Sequence, residues 1–244
     1  MRLRVLELPI EGLPPELDGV RIAHLSDFHL GMPSRGERAA DRAVDWVAER
    51  KPDLICITGD LLSRRRGEAR LRKLLARLPS DPYVVLGNHD FAISRDPFSE
   101  RVQLAELSRG TLLADESAIV ELRGVQVEIG GIDPRSWLTR RLRRWPTSDA
   151  PFRLLLCHFP RVLDLAWRGP WQLILAGHLH AGQIVLPYGV RARLLLAHPR
   201  AAYRQGVFRR GGTTMHVSPG LGTTFVPFRY FARPEATELV LRCA

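Results

Sequence analysis

Five times along the chain an apolar run stops at a small cluster of Asp, Asn, His and Gly. The clusters are Asp27-Phe28-His29, Gly59-Asp60, Gly87-Asn88-His89-Asp90, His158 and Gly177-His178-Leu179-His180. Short apolar runs rich in β-branched residues and bounded by turn formers read as buried strands. On this basis residues 20–26, 54–58 and 83–86 are expected strands. Between them lie two amphipathic stretches. One runs from Ser34 as N-cap to Arg50, with Ala40, Val44 and Val47 on one face, and the other runs from Gly67 to Leu78, before Pro79. The order β-α-β-α-β predicts a largely parallel sheet flanked by helices. Open α/β sheets place their sites where strands end at the carboxyl side, so the five clusters are expected to meet in one crevice.

The second half is richer in strands. Residues 118–129 predict two strands about Arg123-Gly124, and residues 153–157, 172–175 and 183–186 predict further short ones. Residues 206–217 predict a hairpin around Gly211-Gly212, and residues 236–241 a last strand. No repeat or linker divides the chain. The expected fold is α/β, a four-layer αββα sandwich of two mixed sheets flanked by helices, with residues 1–244 as a single domain.

Carboxylates, imidazoles and one carboxamide arriving together form a mixed nitrogen and oxygen ligand set. Without a clear thiolate, the set disfavours a structural zinc site. It offers more ligands than one ion takes. Two ions sharing a carboxylate, about 3.5–4 Å apart, would suit phosphoester hydrolysis.

Charge points the same way, less specifically. The 244 residues carry 36 Lys+Arg against 26 Asp+Glu, a net charge of +10, and Lys51 and Lys73 are the only lysines. A basic surface suits phosphate-bearing partners: nucleotides, nucleic acid or an anionic membrane. A hydrophobic fraction of 45% with 25% charged residues excludes a disordered or fibrous chain. Cys56, Cys157 and Cys243 read as reduced thiols, with Cys157 packed on the strand face opposite His158. No apolar stretch reaches the ~20 residues of a membrane span, and Glu7, Pro9 and Glu11 interrupt any signal-peptide core. A cytoplasmic protein is expected.

The five clusters, in this order, resemble the blocks D-x-H, G-D, G-N-H-D/E, H and G-H-x-H of the calcineurin-like metallophosphoesterase superfamily. The resemblance covers residues 20–183 and extends more weakly over residues 206–240. There Val217-Ser218-Pro219-Gly220-Leu221-Gly222 and Arg233-Pro234-Glu235 look like a bacterial branch. That branch holds membrane-associated phosphodiesterases and one type of UDP-2,3-diacylglucosamine pyrophosphatase. The resemblance implies Asp27, His29 and His180 around a first divalent ion, Asn88, His158 and His178 around a second, and Asp60 bridging both. Mn²⁺ is the expected metal, with Zn²⁺ or Fe as alternatives. A metal-bridging hydroxide would attack phosphorus. His89 would protonate the leaving oxygen or stabilise charge, and Asp90 would orient His89 or anchor the loop.

Two departures qualify the likeness. Ser63 stands where protein serine/threonine phosphatases carry an acidic residue, which disfavours that activity. The last block has Leu179 and Ala181 where the pattern G-H-T-H-G-G-Q has Thr and Gly. The implied substrate is a phosphate-bearing small molecule or a lipid-linked nucleotide, with UDP-2,3-diacylglucosamine cleaved to UMP and an acylated sugar phosphate as the specific expectation. A cyclic-nucleotide or general phosphodiesterase and a nuclease are the enzyme alternatives. A lipid- or nucleic-acid-binding module is the non-enzyme one.

Other features have plainer readings. His24 and His216 are expected to be hydrogen-bonded structural histidines, His198 an exposed loop residue, and Gly220 and Gly222 turn residues. The segment 137–145 places Arg140, Arg141, Arg143 and Arg144 between Trp137 and Trp145, with Leu138 and Leu142 at helical spacing. It suits peripheral contact with an anionic inner membrane, stacking on nucleic acid, or an ordinary surface helix. Arg64, Arg65 and Arg66 either meet substrate phosphate or line a solvated loop. Phe225, Phe228, Tyr230 and Phe231 are read as core before lipid contact.

Overall fold

The computed structural model describes the chain except residues 92, 94–95, 101–103, 105, 141–147, 189–190 and 195–200, and describes residues 187–188 and 191–194 by backbone only. In chain order the elements are β1 (Arg2–Ile10), β2 (Arg21–Leu25), α1 (Gly36–Arg50), β3 (Leu54–Thr58), α2 (Glu68–Ala76), β4 (Tyr83–Val85), β5 (Thr111–Leu112), β6 (Glu116–Leu122) and β7 (Val125–Ile132). There follow α3 (Pro134–Leu138), β8 (Phe152–Cys157), α4 (Leu163–Ala166), β9 (Leu173–Ala176), β10 (Val185–Tyr188), β11 (Arg191–Leu194), β12 (Gly206–Arg210), β13 (Thr213–Val217) and β14 (Glu235–Cys243).

Two six-stranded sheets result, ordered β1-β14-β2-β3-β4-β5 and β12-β13-β9-β8-β7-β6, with β10 and β11 as a separate hairpin. Both are mixed. In the first, β14 runs antiparallel to β2 and parallel to β1; in the second, the outer pairs β12–β13 and β6–β7 are antiparallel. Strand alternation distributes the core into three clusters. Leu54 and Cys56 of β3 pack with Leu154 and Leu156 of β8 between the sheets. Ile55 and Ile57 face the outer layer of α1 and α2, with Val44, Val47, Leu71 and Leu74. Leu155 and Cys157 face the opposite outer layer, with Leu163, Ala166 and the partly buried Trp137. This is the expected αββα sandwich.

Two local expectations need correction, and one strand has no counterpart among the expected elements. The helix after Ser34 begins at Gly36 with Arg35 as N-cap; Ser34 Oγ still accepts the Gly36 N–H at 3.1 Å, one residue outside the cap. Phe225, Phe228, Tyr230 and Phe231 are exposed, between 45% and 67% of their surface, so they are not core. Strand β1 was not anticipated. Its sequence, with Arg4, Glu7 and Pro9, lacks a strong apolar alternation, yet it pairs along its whole length with β14. Edge position explains the tolerance of Pro9, which needs no ladder N–H on its solvent side. His198 and the stretch from Arg141 to Trp145 lie outside the described residues. No helix among the described residues is long and apolar enough to cross a membrane. Cys56, Cys157 and Cys243 are free thiols, the first two buried.

Candidate metal centre

The five clusters follow the carboxyl ends of β2, β3, β4, β8 and β9 and converge at one end of the sandwich. The backbone arranges them in unusual conformations. Asp27, His29, Asp60, His178 and His180 all have φ between 47° and 75°, the left-handed region that non-glycine residues rarely occupy. Hydrogen bonds between the loops after β2 and β3 hold those turns, from Asp27 N to Gly59 O and from His29 N to Asp60 O, each 2.9 Å. Strain of this kind, of order 1–3 kcal/mol per residue, concentrates at functional sites.

Asp27, His29, Asp60 and His180 bring one donor atom each into a single cluster, and Asp60, His158 and His178 form a second; Asp60 belongs to both. His29 Nε2 and His158 Nε2 lie 3.4 and 3.2 Å from Asp60 Oδ2. His180 Nε2 is 3.3 Å from Asp27 Oδ1 and 3.0 Å from His29 Nε2, and His178 Nδ1 is 3.1 Å from His158 Nε2. Imidazole nitrogens this close repel through their lone pairs unless a proton or a cation stands between them.

The donor set fits a cation on two further grounds. Asn88 donates through Nδ2 to Ile93 O at 3.0 Å, while its buried Oδ1 accepts no hydrogen bond among the described residues. An unpaired buried carbonyl is costly, and a metal ion is a natural partner for it. The remote nitrogens are also held: His158 Nδ1 donates to Thr58 O at 2.9 Å, and His29 Nδ1 pairs with Ser63 Oγ at 2.8 Å. The Thr58 carbonyl only accepts, so in the neutral ring it leaves His158 Nε2 with its lone pair inward; a Ser63 hydroxyl that accepts from Nδ1 does the same for His29. Ser63, noted above as a departure, thus acts on a ligand-type histidine. His180 is different. Partly buried Arg229 places Nη2 at 3.1 Å from His180 Nδ1 and donates to Gly222 O, Pro219 O and His180 O. A guanidinium only donates, so Nδ1 accepts here and Nε2 carries the proton that faces Asp27. Coordination through Nε2 therefore requires Arg229 Nη2 to withdraw. Arg229 has no motif around it, and sequence reading passed it over.

Electrostatics follow from the burial. Desolvation would raise Asp27 and Asp60, but the surrounding histidines outweigh it and hold both carboxyls below their usual range. Desolvation opposes a charge on His158, yet Asp60, Asp27 and the Thr58 carbonyl push it up to about 9. Asp90 moves the other way. Burial, followed by the charge of Asp60, raises it to about 7 against the pull of three backbone N–H groups. Those groups are Leu61 and Gly87, at 3.1 and 2.9 Å from Oδ2, and Leu62, at 2.9 Å from Oδ1.

Beside the centre, His89 donates its backbone N–H to Asp60 Oδ1 at 2.9 Å, its ring stands edge-on to His29 at 4.6 Å, and Nδ1 pairs with Ser99 Oγ at 3.0 Å. His24 and His216 are buried and hydrogen-bonded to each other, at 2.8 Å. Gly220 does occupy a left-handed turn, but Gly222 does not; a side chain there would collide with the Phe28 carbonyl. Arg64 and Arg66 cap the carbonyls of Phe98 and Gly31, so loop architecture takes up both Nε groups. A cavity of about 620 Å³ opens beside the centre, with His178 in its wall and Trp137, Leu138, Phe159, Pro160 and Leu179 as its apolar lining.

Known proteins resemble this chain over most of its length. A zebrafish (Danio rerio) transmembrane protein with metallophosphoesterase domain is 33% identical over 98% of this chain and 57% of its own length. The chain likewise spans 56% of a bovine protein of the same description. Bacillus subtilis YkuE, an uncharacterized metallophosphoesterase, is 29% identical over 94% of this chain and 82% of its own. Escherichia coli phosphodiesterase YaeI is 27% identical over 91% and 82%. The solved structure of GAP50, the anchor in the inner membrane complex of Plasmodium, shares the fold with a TM-score of 0.51. It does so at 11% identity, over 87% of this chain and 76% of that one. The calcineurin-like phosphoesterase profile matches residues 20–182, two thirds of the sequence and all five clusters, and the chain belongs to that family.

Proposed function

We propose that this chain hydrolyses a phosphodiester or pyrophosphate at a centre of two divalent metal ions. The observation that carries the reading is the pair of donor clusters sharing one carboxylate, Asp60, with the unpaired Asn88 Oδ1 beside them. Asp27, His29 and His180 would hold one ion, Asn88, His158 and His178 the other, and Asp60 both. Two such ions, Mn²⁺ in our reading, would supply Lewis acidity for activating water and for neutralising phosphoryl charge. The chain's own groups do the rest. Asp60 stays ionised because its histidine neighbours outweigh burial. His89, beside His29 and held by Ser99, donates a proton to the leaving oxygen. Asp90, taken up by three backbone N–H groups, ties the Gly59-Asp60 turn to the Gly87 loop and thereby positions His89. Residues 1–244 act as one domain in this reading, supported by the pairing of β1 with β14.

The substrate we favour is a lipid-linked nucleotide, specifically UDP-2,3-diacylglucosamine, attacked by water to give UMP and an acylated sugar phosphate. The apolar cavity next to His178 supports it, because a purely polar nucleotide has no use for a wall of Trp137, Leu138, Phe159 and Leu179. The exposed aromatics at residues 225–231 and the excess of arginine support peripheral contact with an anionic bilayer. The test is incubation with Mn²⁺ of wild type and Asp60→Ala, offering UDP-2,3-diacylglucosamine, a model phosphodiester, a cyclic nucleotide and an oligonucleotide, with products read by mass spectrometry. UMP formed by the wild type alone supports the proposal. Cleavage of only the model diester or cyclic nucleotide assigns a general or cyclic-nucleotide phosphodiesterase, and oligonucleotide cleavage assigns a nuclease. No turnover above Asp60→Ala on any of them overturns the enzyme reading.

A further inference from the structure

Between the two sheets, beneath the centre, four buried polar side chains and one carboxylate form an unbroken line. His216 of β13 meets His24 of β2, Nδ1 to Nδ1, at 2.8 Å. His24 Nε2 meets Thr58 Oγ1 at 2.9 Å, Thr58 Oγ1 meets Ser26 Oγ at 2.8 Å, and Ser26 Oγ meets Asp27 Oδ2 at 2.6 Å. His216, His24, Thr58, Ser26 and Asp27 are all fully buried. The chain crosses from one sheet to the other: Met215 and Val217 pack in the outer layer, so His216 faces inward, and Ala23 and Leu25 do the same for His24.

Hydrogen-bond roles then follow from the carboxylate backwards. Ser26 Oγ stands 2.6 Å from Asp27 Oδ2 and 2.9 Å from the Thr58 carbonyl. Ionised Asp27 only accepts, and the shorter approach to a charged acceptor takes the Ser26 proton. With its single proton spent, Ser26 Oγ accepts from Thr58, and Thr58 in turn accepts from His24 Nε2–H. Burial keeps both histidines well below their ordinary range and therefore neutral. Neutral His24 protonated at Nε2 offers a lone pair at Nδ1, so His216 donates from Nδ1–H. All donations run one way, and aligned hydrogen bonds of this kind polarise one another. The cost appears at the far end: His216 Nε2 is left a buried acceptor with no partner among the described residues. Unpaired buried acceptors are rare and call for a reason.

We infer that His216 and His24 are positioning residues of the metal centre, acting through Thr58 and Ser26 to fix the Asp27 carboxylate. The His178 N–H lies 3.1 and 3.2 Å from Oδ1 and Oδ2, and Ser26 adds its hydroxyl on Oδ2 alone. Oδ1, the less occupied oxygen and 3.3 Å from His180 Nε2, is the one directed at the first ion. The inference rests on the two-ion reading proposed above and adds what holds one of its ligands in place.

The test is made on the whole chain. ¹⁵N-edited spectra of the imidazoles should show His216 protonated at Nδ1 and His24 at Nε2; the opposite tautomers overturn the inference. Mn²⁺ affinity, measured by competition with a chelating dye, should fall about 10- to 100-fold in Thr58→Val, which keeps shape but removes the hydroxyl. It should fall about 10-fold in His216→Leu and recover in His216→Asn, whose amide can donate from near the place of Nδ1. Val127→Ala, a cavity variant in the same inter-sheet core, should lose stability yet bind Mn²⁺ as the wild type does. Unaltered affinity in Thr58→Val and His216→Leu overturns the positioning role alone. A wild type that binds no divalent ion overturns the metal-centre reading, and this inference with it.

Discussion

Gly87 lies so close against Asp60 that a β-carbon at Gly87 would overlap Asp60 Oδ1 and the Asp60 backbone nitrogen. The carboxylate shared by both donor clusters is thus seated on bare backbone, which lets the next residue but one, His89, donate its N–H to the same oxygen at 2.9 Å. Gly87→Ala must push Asp60 aside. The expected outcome is a loss of about 1–3 kcal/mol in stability, typical of overpacking, with loss of metal-dependent turnover. Denaturant unfolding and a Mn²⁺ titration read the two effects separately; wild-type behaviour in both would refute the seating argument.

Asn88→Ala separates a ligand from a structural residue. Its Nδ2 makes one hydrogen bond, to Ile93 O, and its Oδ1 none. Without added metal the variant should lose only about 1 kcal/mol, the worth of one hydrogen bond. The stabilisation by Mn²⁺ should shrink more, because an ion at 100 times its Kd contributes about 2.7 kcal/mol. Thermal melts with and without Mn²⁺ decide this, and an unchanged metal increment would remove Asn88 from the ligand set.

Ala181 occupies φ 52°, ψ 19°, where the related pattern carries glycine. A left-handed non-glycine residue costs about 1–2 kcal/mol, while glycine loses about 0.4–1 kcal/mol through the freer unfolded chain. Ala181→Gly should therefore stabilise the protein by about 0.5–1 kcal/mol. A lower melting temperature would contradict the strain.

Acid should destabilise the fold partly through the inter-sheet histidines. Burial, reinforced by Arg4, lowers His216 to about 3 in the folded chain, against about 6.5 unfolded. Between those values the unfolded state binds a proton that the folded state refuses, so stability falls as pH falls. One such group is worth about 1.4 kcal/mol per pH unit, or about 2 kcal/mol between pH 6.5 and 5. His216→Leu should be less stable than wild type at pH 7, with the gap narrowing by about that amount at pH 5. A gap independent of pH would sink the assignment.

The strand-ending clusters were legible because each motif is local. An apolar run followed by Asp-x-His or Gly-Asn-His-Asp needs only neighbouring residues to declare a strand and its functional end. The alternation of strands and helices carried the expectation of two sheets flanked by helices, and the family resemblance of the clusters implied the side chains that the structure brings together. Strand β1 was not legible, since its pairing with β14 joins residues at opposite ends of the sequence and its own pattern is weak.

The partners one layer out became visible in the folded chain alone. Ser63 behind His29, Arg229 behind His180, and His216 at the end of the line to Asp27 carry no motif. Their roles depend on distance and burial, which arise when two sheets close on each other. Local motifs declared which side chains stand at the strand ends that form the donor clusters. Packing determined how each is held, because a hydrogen bond across a buried interface is specified by geometry and not by neighbours along the chain.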